Sequence, residues 1–148
     1  MHEDVARRIA SRVHAGQGDR FGDPVVEHVA RVAAAVPLDA RATAWLHDVP
    51  ERSAITAEEL RAEGLTVPEL DALELLTRDP AECYELYALR IANAGGEAGR
   101  LVRLVKLADL DDHLARGDAP PEAPPYAWAR RRIAVAQARQ LEAEHAAI

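Results

Sequence analysis

The stretch EAGRLVRLVKLADLDDHLAR, residues 97–116, decides the fold. Leu101, Val102, Val105 and Ala108 recur every three to four positions, which lines one face of an α-helix, and nothing in the run alternates with the two-residue period of a strand. The same character extends in both directions. The 148-residue chain is rich in the strong helix formers Ala, Leu, Glu and Arg, and aromatic residues are only 4%, so β-forming segments are scarce. The expected class is all-α: a compact multi-helix bundle in a single domain over 1–148, since a chain of this length supports about one core.

Punctuation residues divide the chain. Asp23-Pro24 reads as an N-cap followed by the first helical residue, and Asp39 as another N-cap. Thr56-Ala57-Glu58-Glu59 and Asp79-Pro80-Ala81-Glu82 read as capping boxes, and Gly16, Gly64 and Gly117 as helix stops. The spacing predicts helices over about 3–15, 24–36, 40–49, 57–63, 68–77, 80–93 and 97–116, which make a core over 3–116. A loop over 117–125 follows, with Pro120, Pro121, Pro124 and Pro125. The last helix, 126–146, carries Tyr126, Trp128, Ile133, Val135 and Leu141 and is expected to dock on the rest.

Charge narrows the function. With 18 Lys+Arg against 25 Asp+Glu the net charge is −7, a sign that disfavours nucleic acid and anionic membrane surfaces as partners. A small phosphorylated substrate remains compatible. The single cysteine, Cys83, allows neither an internal disulfide nor a thiolate zinc site, so it is expected to be a small buried or boundary residue and the setting a reducing cytoplasm. The acidic start Met1-His2-Glu3-Asp4 lacks a leader-like apolar core, and no apolar run reaches the roughly 18 residues of a membrane span. A homo-oligomer is left open.

Polar residues at core positions carry the functional signal. His28 sits within the stripe Val25, Val29, Val32, Val36; His47-Asp48 follows Ala44-Trp45-Leu46 by one turn; Asp109 lies four after Val105. Each one singly admits a plainer role, as a hydrogen-bonded core histidine, a cap or an ion-pair partner of a neighbouring arginine. Together, two inward imidazoles and two inward carboxylates carry a burial cost of several kcal/mol that a shared cation removes. This donor set suits a borderline divalent ion and leaves open positions on an octahedral one.

These residues resemble the HD superfamily of metal-dependent phosphohydrolases, whose signature is a histidine, a histidine-aspartate doublet and a late aspartate. The chain is similar in particular to the hydrolase domain of RelA/SpoT-type enzymes and their small single-domain relatives. The likeness rests on four ordered segments: His14-Ala15-Gly16-Gln17 with Gly22-Asp23-Pro24 and His28; Trp45-Leu46-His47-Asp48-Val49-Pro50-Glu51; Leu76-Thr77-Arg78 with Tyr84, Tyr87, Arg90 and Ile91; and Val105-Lys106-Leu107-Ala108-Asp109-Leu110. The resemblance implies an HD-domain bundle and metal ligation by His28, His47, Asp48 and Asp109. The expected ion is Mn2+, with Fe2+, Zn2+ and Mg2+ as alternatives. It also implies that Glu51 positions or deprotonates the attacking water. Lys106, Arg20 and Arg78 are then candidates to offset phosphate charge, and Tyr84 and His113 to touch a nucleotide.

The chain departs from the pattern at informative places. Arg52 follows Glu51 where the branch has aspartate, so it is expected either to clamp phosphate or to pair with Glu51. Asp19 stands in place of an arginine, Val25 and Val29 in place of a tyrosine and a proline, and His113 in place of an asparagine. The resulting expectation is a hydrolase removing pyrophosphate from the 3′ position of a (p)ppGpp-like nucleotide. The alternatives are an HD phosphohydrolase acting on another small nucleotide or phosphomonoester, and a catalytically impaired domain that binds metal or nucleotide.

Overall fold

A computed structural model describes residues 1–117 and 126–147, and among these residues the chain is all-helical. In chain order α1 is Glu3–Val13 and α2 Val25–Ala34, then a 3-10 turn Leu38–Ala40 leads into α3, Arg41–Leu46. A two-residue break precedes α4, Val49–Arg52, after which come α5, Ala57–Ala62, and α6, Val67–Leu76. The chain continues with α7, Tyr84–Asn93, α8, Gly96–Ala115, and α9, Tyr126–Ala146. No helix is long and apolar enough to cross a membrane among the described residues. The proline-rich connector expected over 117–125 lies, beyond Gly117, outside them.

Helix α8 is the axis of the bundle. Helices α6, α9, α2 and α7 all pack on it, and α1 closes over α3 on the far side. The apolar positions read from the sequence do form the core: Leu101, Val102 and Val105 of α8 are buried with Val29 and Val32 of α2 and Leu46 of α3. Each such side chain contributes roughly 1.5–3 kcal/mol through removal from water. Helix α9 docks as expected, against α7 and α8, with Ala129, Ile133 and Gln137 buried one turn apart. Val135, expected to be buried, is instead 49% exposed because it falls on the opposite face of α9, and Leu141, also expected to be buried, is 44% exposed one turn beyond Gln137.

Three of the expected caps are corrected. Pro24 occupies the cap position of α2 without a side-chain bond, while Asp23 turns outward to Arg116, whose Nη2 donates to it at 2.5 Å. Asp39 lies inside the 3-10 turn and pairs with Arg100. Asp79-Pro80 makes a turn, in which Asp79 Oδ1 accepts from the Ala81 amide at 2.8 Å, and α7 begins only at Tyr84. In each case an aspartate found a stronger partner than a helix start: a guanidinium twice, a local turn once. Cys83 caps α7 and is exposed, not a buried or boundary residue. The Thr56 capping box is formed as read, and Thr66-Val67-Pro68-Glu69 forms a second one on α6. Gly16, Gly64 and Gly117 all take positive φ after helix ends.

The start of α8 packs so closely that position 99 admits only glycine. A Cβ there would lie 2.1 Å from the Ala94 carbonyl oxygen. That carbonyl also accepts from the buried Arg103, which donates in addition to Ala92 O at 3.5 Å and, through Nε, to Gln137 Oε1 at 2.8 Å. Arg103 thereby ties the end of α7 and the middle of α9 to α8.

Candidate metal centre

Three separate helical segments deliver the polar residues to one point. His28 projects from the buried face of α2 between Val25 and Val32. His47 and Asp48 occupy the break between α3 and α4. Helix α8 adds Lys106, Asp109, Asp112 and His113, all within two turns.

Their geometry is convergent. Asp109 Oδ1 lies 3.0 Å from His28 Nε2, 3.1 Å from His113 Nε2 and 3.5 Å from His47 Nε2. Asp48 reaches the same spot, 3.5 Å from His47 Nε2 and 3.9 Å from His28 Nε2. The Nδ1 atoms of the two core histidines are engaged behind the site. His28 Nδ1 is 2.7 Å from Asp112 Oδ2, and His47 Nδ1 is 2.6 Å from the Ala44 carbonyl oxygen. An acceptor at Nδ1 keeps the proton there and leaves Nε2 with its lone pair, the arrangement that metal-binding imidazoles use. Both Nε2 atoms are buried without a hydrogen-bond partner. Each Nε2 therefore meets a carboxylate oxygen either as an N–H, when the ring carries a second proton, or as a lone pair, when a cation takes that proton's place.

Without an ion the electrostatics favour the protonated His47 ring, whose proton a bound cation would displace. Burial alone would lower the His47 pKa, but Asp48 and Asp109 outweigh it and push it up to about 9. Burial would raise Asp109, yet Lys106 and the three imidazoles hold its carboxyl well below the usual range. Lys106 donates to Asp109 Oδ2 at 2.8 Å, which keeps its ammonium charged despite burial. Asp112 is likewise held low, since the bonds from Arg31 at 2.7 and 3.1 Å and from His28 outweigh its partial burial. Once the imidazoles are neutral, as a cation displacing the His47 proton would leave them, three aspartates against Lys106 and Arg31 leave one net negative charge. A divalent ion reverses it to one net positive charge, which then attracts a phosphate. The residues fit a divalent cation, and the buried His/Asp groups can hold one: two sets, His28/His47/Asp48 and His28/Asp109/His113, each bring their donor atoms within 4.8 Å of one another.

The sequence-predicted residues divide into two groups. His47, Asp48, Glu51, Arg52, Lys106, Asp109 and His113 line one polar cleft of about 210 Å3, together with Tyr87. Burial and the neighbouring Asp48 raise the Glu51 pKa, although the Arg78 amide donates to it. Arg78 stands in the next recess, where it shares a wall with Glu51. That recess continues past Thr77 and Pro80 into an apolar cavity of about 510 Å3 lined by Pro50, Ile55, Leu60, Leu70 and Leu73. Arg20 lies apart from the cleft on the 18–24 loop, stacked over Phe21 at 4.7 Å. Tyr84 packs against Tyr87 and Tyr126, with its pKa pushed up to about 12 mainly by burial. His14 is buried beside the site, bonded to Gln17 at 2.8 Å, and Gln17 Nε2 donates to the Arg52 carbonyl at 3.1 Å.

Sequence reasoning missed Asp112, which orients His28. Its signal was the i, i+3 step from Asp109, matched by His28 and Arg31 at the same step on α2. Among known proteins, the chain matches no family model and no curated protein.

Proposed function

We propose that the chain is a metal-dependent phosphohydrolase whose ion is held by His28, His47, Asp48 and Asp109. One observation carries the proposal: two buried imidazole Nε2 atoms without partners converge on Asp109 and Asp48 in a cleft that also holds a carboxylate with a raised pKa, Glu51. When bound, the ion supplies Lewis acidity toward a phosphoryl oxygen and lowers the pKa of a coordinated water.

The chain's own groups supply the rest. Glu51, whose pKa is raised by partial desolvation at the cleft edge and by Asp48, accepts the proton that the attacking water loses. Lys106 fixes Asp109, and Arg52 brings positive charge to the cleft wall, where it offsets charge developing on the phosphate. A cleft of about 210 Å3 falls below the roughly 300 Å3 at which pockets begin to enclose a whole organic ligand, so it suits a phosphate or pyrophosphate group. The adjoining apolar cavity has room for the organic remainder. Together with the resemblance in motifs, this supports a small phosphorylated nucleotide, with removal of the 3′ pyrophosphate of (p)ppGpp as the leading reaction and Mn2+ as the leading ion.

A second reading, hydrolysis of a different small nucleotide or phosphomonoester, is favoured by Arg52 in the cleft where the resemblance expects an aspartate. Incubation of Mn2+-loaded protein with alarmones, nucleoside monophosphates and simple phosphomonoesters, against an Asp48→Asn control, separates the two. Pyrophosphate released from the alarmone alone supports the first reading, and orthophosphate from monoesters the second. Silence across the panel with metal bound overturns both and leaves a metal- or nucleotide-binding domain.

A further inference from the structure

We infer that His113 is a fifth protein ligand of the same ion, so that the centre comprises three imidazoles and two carboxylates. The inference rests on reading the cluster as a metal centre, and it alters what that centre can do. A six-coordinate ion with four protein ligands keeps two exchangeable positions; with five it keeps one.

The spacing of the donor atoms carries the argument. Ligands at adjacent corners of an octahedron with bonds of about 2.1 Å are about 3.0 Å apart. His113 Nε2 stands 3.1 Å from Asp109 Oδ1, at the same separation as His28 Nε2, 3.0 Å, and closer than His47 Nε2, 3.5 Å. His113 therefore meets the shared oxygen on the same terms as the two histidines read as ligands. Its ring lies beside that of His28, with centroids 4.9 Å apart. Helix α8 places positions 109 and 113 one turn apart on one face, the step by which helices commonly present paired metal ligands.

The two candidate sets cannot hold separate ions. Both need His28, whose Nδ1 is engaged by Asp112 at 2.7 Å. One remaining lone pair on Nε2 ligates one ion. The sets therefore share one ion between them, and the buried Nε2 of His28 is the atom common to both. A purely structural role for His113, as a hydrogen-bond donor to Asp109, would leave the Nε2 atoms of His28 and His47 as they are.

The test uses Mn2+ as probe with wild type, His113→Asn and His113→Leu, and with Asp48→Asn as reference; circular dichroism and thermal melting establish that each is folded. Titration followed by the electron paramagnetic resonance of free Mn2+ gives affinity, and water-proton relaxivity gives the number of coordinated waters. The expected result is an affinity loss of about tenfold or more in both His113 variants, with coordinated water rising from one in wild type to two in His113→Leu. Unchanged affinity and an unchanged water count in both variants, with Asp48→Asn still losing the ion, would overturn the fifth ligand and leave the metal centre standing. No Mn2+ bound by wild type would overturn both.

Discussion

Helix α8 carries two buried polar clusters, centred on Arg103 and on Asp109, only about 9 Å apart along its axis. Arg103 faces α7 and α9, and two of its nitrogens donate to carbonyls of Ala92 and Ala94 and to Gln137 Oε1. Asp109 faces α2 and the α3–α4 break, and there three imidazole Nε2 atoms converge on one carboxylate oxygen. Both clusters hold a buried charge in the same helix. The first ties three helices together through Nε and Nη1, only its Nη2 lacking a partner, whereas the second gathers donor atoms that can hold a cation. Burial of charge is therefore not itself the mark of a site; the direction in which unsatisfied atoms point is.

Asp109→Asn is the severest way to break this contrast. It replaces the shared carboxylate by a neutral amide and leaves Lys106 buried without its counter-charge, so Mn2+ binding should vanish and unfolding free energy should fall by about 3–5 kcal/mol, measured by calorimetric titration and urea denaturation. Arg103→Met should cost about 2–3 kcal/mol by the same denaturation, since it leaves two carbonyls and Gln137 without a donor. Its Mn2+ affinity should match wild type; a parallel loss of metal would merge the two clusters into one unit. For Asp112→Asn, which weakens the orientation of His28 while sparing every ligand, affinity should drop about 10- to 100-fold, or roughly 1.4–2.7 kcal/mol, in a Mn2+ titration. Gln137→Leu is the mildest, at about 1 kcal/mol in thermal melting, with the Mn2+-induced rise in Tm intact.

The same contrast explains what was legible beforehand. His28, His47, Asp48 and Asp109 could be picked out because each interrupts an apolar helical face, where a polar residue demands an explanation. Arg103 could not, since Leu101, Val102, Leu104 and Val105 surround it and a helix buried on nearly all sides has no polar face to violate. Asp112 sits in the charged run Asp111-Asp112-His113, which reads as solvated until α2 is seen beside it. The all-helical class followed from composition and period, and most helix bodies fell where the period placed them. The errors gathered at Asp23, Asp39 and Asp79, because an aspartate before a helix can cap it, bond a turn or reach a distant arginine, and the last partner is invisible in one dimension. Arg20 stands outside the cleft for the same reason: adjacency along the chain to Asp23 and His28 does not determine which way the 18–24 loop turns.

The break between α3 and α4 limits how this centre could be moved. On a helix two consecutive side chains diverge by about 100°, so a neighbouring histidine and aspartate approach one point from two sides. Here His47 and Asp48 sit between Leu46, where α3 ends, and Val49, where α4 begins, both still in the right-handed helical region, and His47 Nε2 lies 3.5 Å from Asp48 Oδ1. A transplant of this donor set would therefore have to carry the turn at 47–48 along with α2 and α8, because the donors on three separate segments meet only when all three are in place.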